Sequence, residues 1–310
     1  MPVRGTVPVV EPLLLITNAD AGSNEAESVE QALTVFRRVT DVEVAETSDQ
    51  GELDGVLHRR GGRRIVVAGG DGSLHAVVAA LHRRQELADA VVGLVPLGTG
   101  NDFARGMGIP LDPGEAAELV VNGEVRRVDL LVDCVGEVVV NAAHVGVGAQ
   151  ASHKARSWKR LLGRFAYVAG ALVASVNPPF HRFRVELDGE VIADLDRHVV
   201  QVAVGNGSTV GGGTELTPLA EPEDGKLDVM ISFAVGPLSR FGYAVKLRAG
   251  RHQERPDVLY RRGTRVSVSG QPFYVSADGE LYGPERTRTW HIEPGAFSMP
   301  LPPPGEGSSA

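Results

Sequence analysis

The sequence predicts an α/β domain built on a parallel sheet, followed by a domain of antiparallel strands. Four short apolar runs alternate with helix-period stretches over residues 13–105. Each run ends in a turn rich in Gly, Asn, Asp or Thr. From about residue 125 the pattern changes to strand-like runs separated by turn signals, with few helices between them.

Residues 13–16, Leu-Leu-Leu-Ile, form a fully apolar strand, 17–23 a polar loop and 26–39 a helix. A second repeat of this grammar has a strand at 42–45, a turn at 47–49 and a helix at 53–60. A third has a strand at 64–68, the turn Gly-Gly-Asp-Gly-Ser at 69–73 and a helix at 74–81. A fourth strand, 91–95, runs into Pro-Leu-Gly-Thr-Gly-Asn-Asp-Phe-Ala-Arg at 96–105. Largely apolar strands alternating with helices imply a parallel sheet covered on both faces. Such sheets bind ligands outside the carboxyl ends of their strands, so the loops at Asn18, Thr47, Gly69 and Gly98 are expected to converge on one cleft.

In the second half, strands are expected at 128–132, 137–141, 183–187, 199–204, 227–233, 265–269 and 273–276. Two helices interrupt them, an apolar one at 164–176 and an amphipathic one at 238–251. The division is 1–127, then 128–299 with its extreme end able to pack back on the first domain. A Pro/Gly/Ser-rich tail at 300–310 is expected to be disordered.

At 310 residues the chain can hold two cores, and 43% hydrophobic with 23% charged residues is a globular balance. A net charge of −8 gives no footprint for nucleic acid and leaves any contact with an anionic surface to a local patch. The single cysteine, Cys134, excludes an internal disulfide and a Cys-built zinc site, and fits a reducing compartment. No apolar run reaches the roughly 18–20 residues that span a bilayer, and the first residues lack the apolar core of a signal peptide. The expectation is a cytoplasmic protein. Nine histidines without His-x-x-x-His spacing give no support to a zinc site.

Residues 69–73 place three glycines and an aspartate between a buried strand and a helix. Bare N–H groups and the helix dipole at such a turn point at a bound anion. Asp71 is the unusual member. A carboxylate beside phosphates repels them unless a divalent cation lies between, which argues for a metal–nucleotide complex. The plain alternative is a tight turn with Asp71 or Ser73 as N-cap. In 96–105, two glycines flank Thr99 and let backbone approach a ligand, while Asn101 and Asp102 either contact that ligand or cap the next helix. Taken alone, Asp278-Gly279-Glu280 and Glu223-Asp224-Gly225 read as turns.

Together the two glycine motifs resemble the diacylglycerol kinase catalytic domain family, which includes sphingosine, ceramide and soluble bacterial lipid kinases. The departures are Ser73 for the usual Thr, His75 where Asn is frequent and Gly100 where Ala is frequent. Further similar blocks occur in the family's order: 141–149, Gly205-Asn206-Gly207 with Gly211-Gly212-Gly213, Pro218 with 223–228, and 278–280. Thr47 with Gly51 is a weaker match.

The resemblance implies a nucleotide-binding α/β domain akin to that of NAD kinases, joined to a β-sandwich, with the active site in the cleft between them. It implies ATP with Mg²⁺ as the donor, a lipid acceptor such as diacylglycerol, peripheral contact with a membrane and no nucleic-acid partner, and it leaves a homodimer open. Nucleotide contacts carry over to Thr47, Gly69, Gly70, Asp71, Gly72, Ser73, Leu74, His75, Thr99 and Asn101. Asp71 acquires a catalytic role through Mg²⁺ or its waters, and Glu280 that of base toward the lipid hydroxyl. A structural cation is implied on the Asp224 carboxylate and the carbonyls of Glu221 and Lys226, an oxygen-only set that suits Mg²⁺ or Ca²⁺.

The basic stretch 154–160 reads first as a solvated helix end and next as a contact for lipid headgroups. Two other functions share these motifs: an NAD kinase or phosphofructokinase-type sugar kinase, and a non-catalytic lipid-binding module of the same fold. The sequence names no particular lipid.

Overall fold

Leu13–Asn18 (β1), Val42–Thr47 (β2), Arg64–Gly69 (β3) and Val92–Pro96 (β4) pair in parallel, in the order β2-β1-β3-β4. The structure is a computed structural model and describes residues 11–19, 22–146 and 180–303. Ser23–Phe36 (α1), Gln50–Arg59 (α2) and Asp71–Arg83 (α3) connect the strands, and Asp102–Gly106 (α4) and Pro113–Asn122 (α5) come after them.

Period-two alternation decides the layering. Leu13, Leu15, Val66, Ala68 and Val95 share one core with Leu33 and Phe36 of α1 and with Ala117 and Val120 of α5. Leu14, Ile16, Ile65 and Val67 take the opposite face and are at most 4% exposed. A parallel strand buried on both faces must be apolar throughout, which is why these runs stand out in the sequence. The chain leaves β1 for β2 on one side, then returns past β1 to β3 on the other. Strand order therefore reverses between β1 and β3, the topological switch point at which α/β sheets take their ligands.

The described residues fall into two units, one up to Arg127 together with those from Phe297 onward, the other Val128–Ala296. The second is built from Glu124–Asp133 (β5), Val138–Val139 (β6), Ala142–Gly146 (β7), Phe183–Leu187 (β8), Glu190–Ala193 (β9) and Gln201–Gly205 (β10). It continues through Thr209–Val210 (β11), Thr214–Glu215 (β12), Leu227–Ser232 (β13), Val258–Gly263 (β14), Arg265–Ala277 (β15) and Glu280–Leu301 (β16), where the first residues of β5 and the last of β16 belong to the first unit.

The sheet runs β14-β13-β10-β7-β15-β16-β5-β6, with β8 on β15 and β9 on β8, while β11 and β12 form a separate ribbon. One face closes on a single core containing Val145, Val204, Val229, Phe273, Val275 and Trp290. A continuous ladder thus supplies both sides of a sandwich-like core. On the other face Pro237–Arg248 (α6) sets Tyr243 and Leu247 against Ala203 and Met230.

Two expectations change. Strands 265–269 and 273–276 are one strand, β15, whose pairing with β16 shifts register between Ser269 and Phe273. Pro272 lies in that gap and has no N–H for the ladder, so the sequence looks interrupted where the strand only bulges. The tail expected to be disordered from 300 overlaps β16: Pro300 and Leu301 are buried and complete that strand. Leu301 is an apolar side chain in the core, and Ser298 bridges Val91 in parallel, so burial and backbone pairing override the Pro-rich composition at this end of the chain. Residues 304–310, the basic stretch 154–160 and the helix expected at 164–176 lie outside the described residues.

Candidate active site

In the first unit, β3 delivers Gly69 and Gly70 to α3, for which Gly70 is the N-cap and supplies no side-chain cap. A helix start of that kind leaves its first-turn N–H groups to a ligand. Gly69 stands opposite Pro96 in the β3–β4 register, so the two glycine motifs leave the sheet side by side. They then touch. A Cβ on Gly70 would lie 2.9 Å from Gly98 Cα, and one on Gly98 would lie 2.5 Å from Gly70 Cα.

Asp71 closes the contact: its Oδ2 accepts from the Asp102 N–H at 3.0 Å and its Oδ1 from the Phe103 N–H at 2.9 Å. The carboxylate thereby caps the helix at the end of the second motif. Asn101, at φ 51°, donates from Nδ2 to Gly98 O at 2.8 Å, and its Oδ1 is buried without a partner.

A cleft of about 190 Å³ opens at the carboxyl ends of β1, β2 and β3, lined by Asn18, Thr47, Ser48, Gln50, Gly72 and Ser73 among others. Its α2 wall is held by a reciprocal cap. Asp49 Oδ1 accepts from the Glu52 N–H at 2.9 Å, while Glu52 Oε2 accepts from the Ser48 N–H at 2.8 Å and the Ser48 hydroxyl at 2.9 Å.

Of the residues expected to meet a nucleotide, the cleft brings together Thr47, Gly72 and Ser73, whereas Gly70 Cα and Asn101 Nδ2 lie at the contact between the loops. Thr99 is exposed on its loop, and His75 is half-buried on α3. Leu74 is corrected. It is 0% exposed and its N–H donates to Gly70 O at 3.1 Å, because the helical period turns it into the core. Ser48 and Gln50 were not anticipated, and only their place beside Thr47 at the end of β2 could have signalled them.

In the second unit, Asp278 and Gly279 have φ of 45° and 86° and join Ala277 to Glu280 in a two-residue hairpin. Glu280 is exposed as the first residue of β16. The hairpin is anchored by Asp278, whose Oδ2 accepts from the Val140 N–H at 2.6 Å and whose Oδ1 accepts from the Asn141 N–H at 2.9 Å. Asn141 O in turn accepts from the N–H groups of Asn206 (2.8 Å) and Gly207 (2.7 Å), and Asn206 Nδ2 donates to Val140 O at 2.8 Å. Three blocks far apart in the sequence thus form one knot around the hairpin that carries Glu280.

The cation implied at residues 221, 224 and 226 meets a different arrangement. Glu221 O accepts from the N–H groups of Glu223 (2.8 Å) and Asp224 (3.3 Å), and Asp224 Oδ1 from the Lys226 N–H at 2.9 Å. Asp224 Oδ2 pairs with the Arg262 guanidinium, whose Nε lies 3.4 Å from Asp228. Burial raises the Asp228 carboxyl to about 6. Among the described residues no group of three or more His, Cys, Asp or Glu is placed to hold a metal. With a guanidinium already on Asp224, this donor set does not fit an added cation, and no step of the reaction passes through one there.

Residues 12–132 match the diacylglycerol kinase catalytic domain, and residues 141–300 match the YegS C-terminal NAD kinase beta sandwich-like domain. A protein of Xanthomonas oryzae pv. oryzae (strain MAFF 311018) named "Probable lipid kinase YegS-like" is 32% identical over 306 residues, covering 93% of this chain and 95% of that one. The chain belongs to the YegS-like lipid kinase family. Relatives of this kinase with the same name include one from Stenotrophomonas maltophilia (strain K279a), 34% identical over 77% of this chain and 78% of its own. Another, from Pseudomonas aeruginosa, is 30% identical over 94% of each.

The crystal structure of a diacylglycerol kinase from Bacillus anthracis str. Sterne shares the kinase's fold with a TM-score of 0.71 at 21% identity, over 94% of this chain and 97% of that one. Yeast NADH kinase shares it more distantly, with a TM-score of 0.50 at 12% identity, over 97% of this chain and 86% of that one. The fold class and the family expected from the paired glycine motifs hold. No described helix of the kinase is long and apolar enough to cross a membrane.

Proposed function

We propose that this lipid kinase transfers the γ-phosphoryl group of ATP to the hydroxyl of a diacylglycerol-like lipid. The observation that supports this reading best is the uncapped start of α3 beside the cleft at the switch point, locked to the second glycine loop by Asp71. Phosphates lie against the backbone of Gly70 and Gly72 and the Ser73 hydroxyl, and the wall at Thr47 takes another part of the nucleotide. Asp71 holds the loop of Thr99 and Asn101 ready for the phosphates. The same carboxylate would act on the donor through Mg²⁺ or its waters. Mg²⁺ bound with the nucleotide supplies charge neutralisation on the transferring group.

Glu280 takes the proton of the lipid hydroxyl as the lipid oxygen bonds to the γ-phosphorus. The bond from that phosphorus to the bridging oxygen breaks, giving ADP and a lipid phosphate monoester. Peripheral contact with a membrane brings the acceptor within reach.

The test is phosphoryl transfer from labelled ATP into a total lipid extract, with NAD and fructose 6-phosphate offered in parallel and the labelled product identified by mass. Label in a diacylglycerol-derived phosphate is expected. Label in NADP or a sugar phosphate, with none in lipid, rejects the proposal. Calorimetric binding of Mg-ATP without any labelled product favours a non-catalytic module.

A further inference from the structure

Helix α6 is apolar on two sides. Tyr243 and Leu247 turn inward onto Ala203, Leu216 and Met230. Leu238, Phe241 and Val245, spaced i, i+3, i+7 along a single stripe, turn outward and are 89%, 68% and 54% exposed. A helix on the surface of a globular protein ordinarily shows water a polar face, and clustered apolar exposure marks a contact surface.

The same stretch of chain is rich in cations. Residues 237–255 contain five basic side chains, Arg240, Lys246, Arg248, Arg251 and Arg255, and one carboxylate, Glu254, in a chain whose net charge is −8. Lys246 and Arg251 share Glu254 at 3.0 and 2.8 Å and Arg255 pairs with Asp257, whereas Arg248 stands exposed in the last turn of the helix. The first turn carries no acidic residue.

We infer that α6 is the surface by which the protein docks on an anionic phospholipid bilayer, with Leu238, Phe241 and Val245 at the acyl boundary and the flanking cations against the headgroups. An amphipathic helix lying in the membrane interface has this composition, and basic side chains beside its apolar face are drawn to anionic lipid. Charge selects this occupant over a second copy of the chain, which would set two basic faces against each other. Three side chains also offer far less than the roughly 800 Å² per partner that a stable protein interface takes. The inference deepens the proposed function and rests on its lipid acceptor for its purpose, but vesicle binding and turnover are separate observables.

The full chain is sedimented with vesicles of phosphatidylcholine alone and of phosphatidylcholine with phosphatidylglycerol. A triple variant, Leu238→Ser with Phe241→Ser and Val245→Ser, and the single variant Arg248→Glu are run beside it. These side chains face water, so unchanged circular dichroism melting is expected and checks the fold. The wild type should partition onto the phosphatidylglycerol vesicles and lose binding at high salt. The triple variant should bind at least tenfold more weakly, and Arg248→Glu several-fold more weakly.

Equal binding by the triple variant, or no binding by the wild type, overturns the inference. So does a dimer in light scattering that the triple variant dissociates while vesicle binding is unaltered. Turnover on a water-soluble short-chain diacylglycerol is measured alongside and should be the same in wild type and triple variant. If the wild type binds vesicles yet phosphorylates no lipid, the proposed acceptor fails and the docking surface stands.

Discussion

Asp71 and Gly98 fasten the same two loops by opposite means, one by reaching across the gap and the other by having no side chain to fill it. Asp71→Asn replaces an acceptor with an NH₂ group facing a backbone N–H. Leaving that donor unsatisfied costs about 1–3 kcal/mol, so a lower melting temperature and weaker ATP binding by calorimetry are expected. Wild-type values in both would remove Asp71 from this role.

The glycines separate packing from ligand contact. Gly98→Ala puts a Cβ within 2.5 Å of Gly70 backbone and should lower both stability and ATP affinity. Gly72 has nothing within 4 Å of its Cβ position and sits inside α3, where Ala is favoured over Gly by roughly 0.5–1 kcal/mol. Gly72→Ala should therefore keep or raise the melting temperature while weakening ATP at least tenfold, because the new methyl enters the cleft. Unchanged affinity in a titration with Mg-ATP would place the phosphates elsewhere.

At the scale of elements, strand register sets the two glycine motifs side by side. The hairpin at Asp278 was legible as a turn from Asp-Gly alone, but its anchoring of residues 140–142 was not, because a hydrogen bond across more than 130 positions leaves no local pattern. Asp278→Ala removes the acceptor for those amides and puts Ala at φ 45°. A loss of roughly 2–4 kcal/mol in urea unfolding is expected, and a loss below about 1 kcal/mol would show that the anchor is dispensable.

On β7, burial lowers the His144 imidazole to about 4. The unfolded chain takes up that proton near 6.5, so folding loses stability as pH falls from about 6.5 to about 4. Asp228, raised to about 6, acts with the opposite sign, its contribution present at low pH and lost as pH rises through about 6. His144→Leu should narrow the drop in urea midpoint between pH 7 and pH 5. An identical drop would assign the acid sensitivity to other groups.

For the whole molecule, what the sequence displays depends on whether local pattern or distant contact decides the outcome. The parallel sheet was legible because strands buried on both faces must be apolar throughout, and the turns at the ends of β1, β2 and β3 pointed to the cleft found there. Leu74 was misread because motif adjacency does not reveal which way a helical side chain points. The Arg262–Asp224 pair was invisible because β13 and β14 meet only on folding. Pro-rich composition at 300–301 hides two residues that finish a strand.

The proposed chemistry assigns the nucleotide to residues of the first unit and the base to Glu280 of the second. The most direct test is Glu280→Gln, with kcat for the identified lipid and Kd for Mg-ATP measured on the same preparation. A fall in kcat of about 10²–10⁴-fold, the range for loss of a general base, is expected with ATP affinity preserved within about twofold. An undiminished kcat would contradict the assignment of Glu280 as the base.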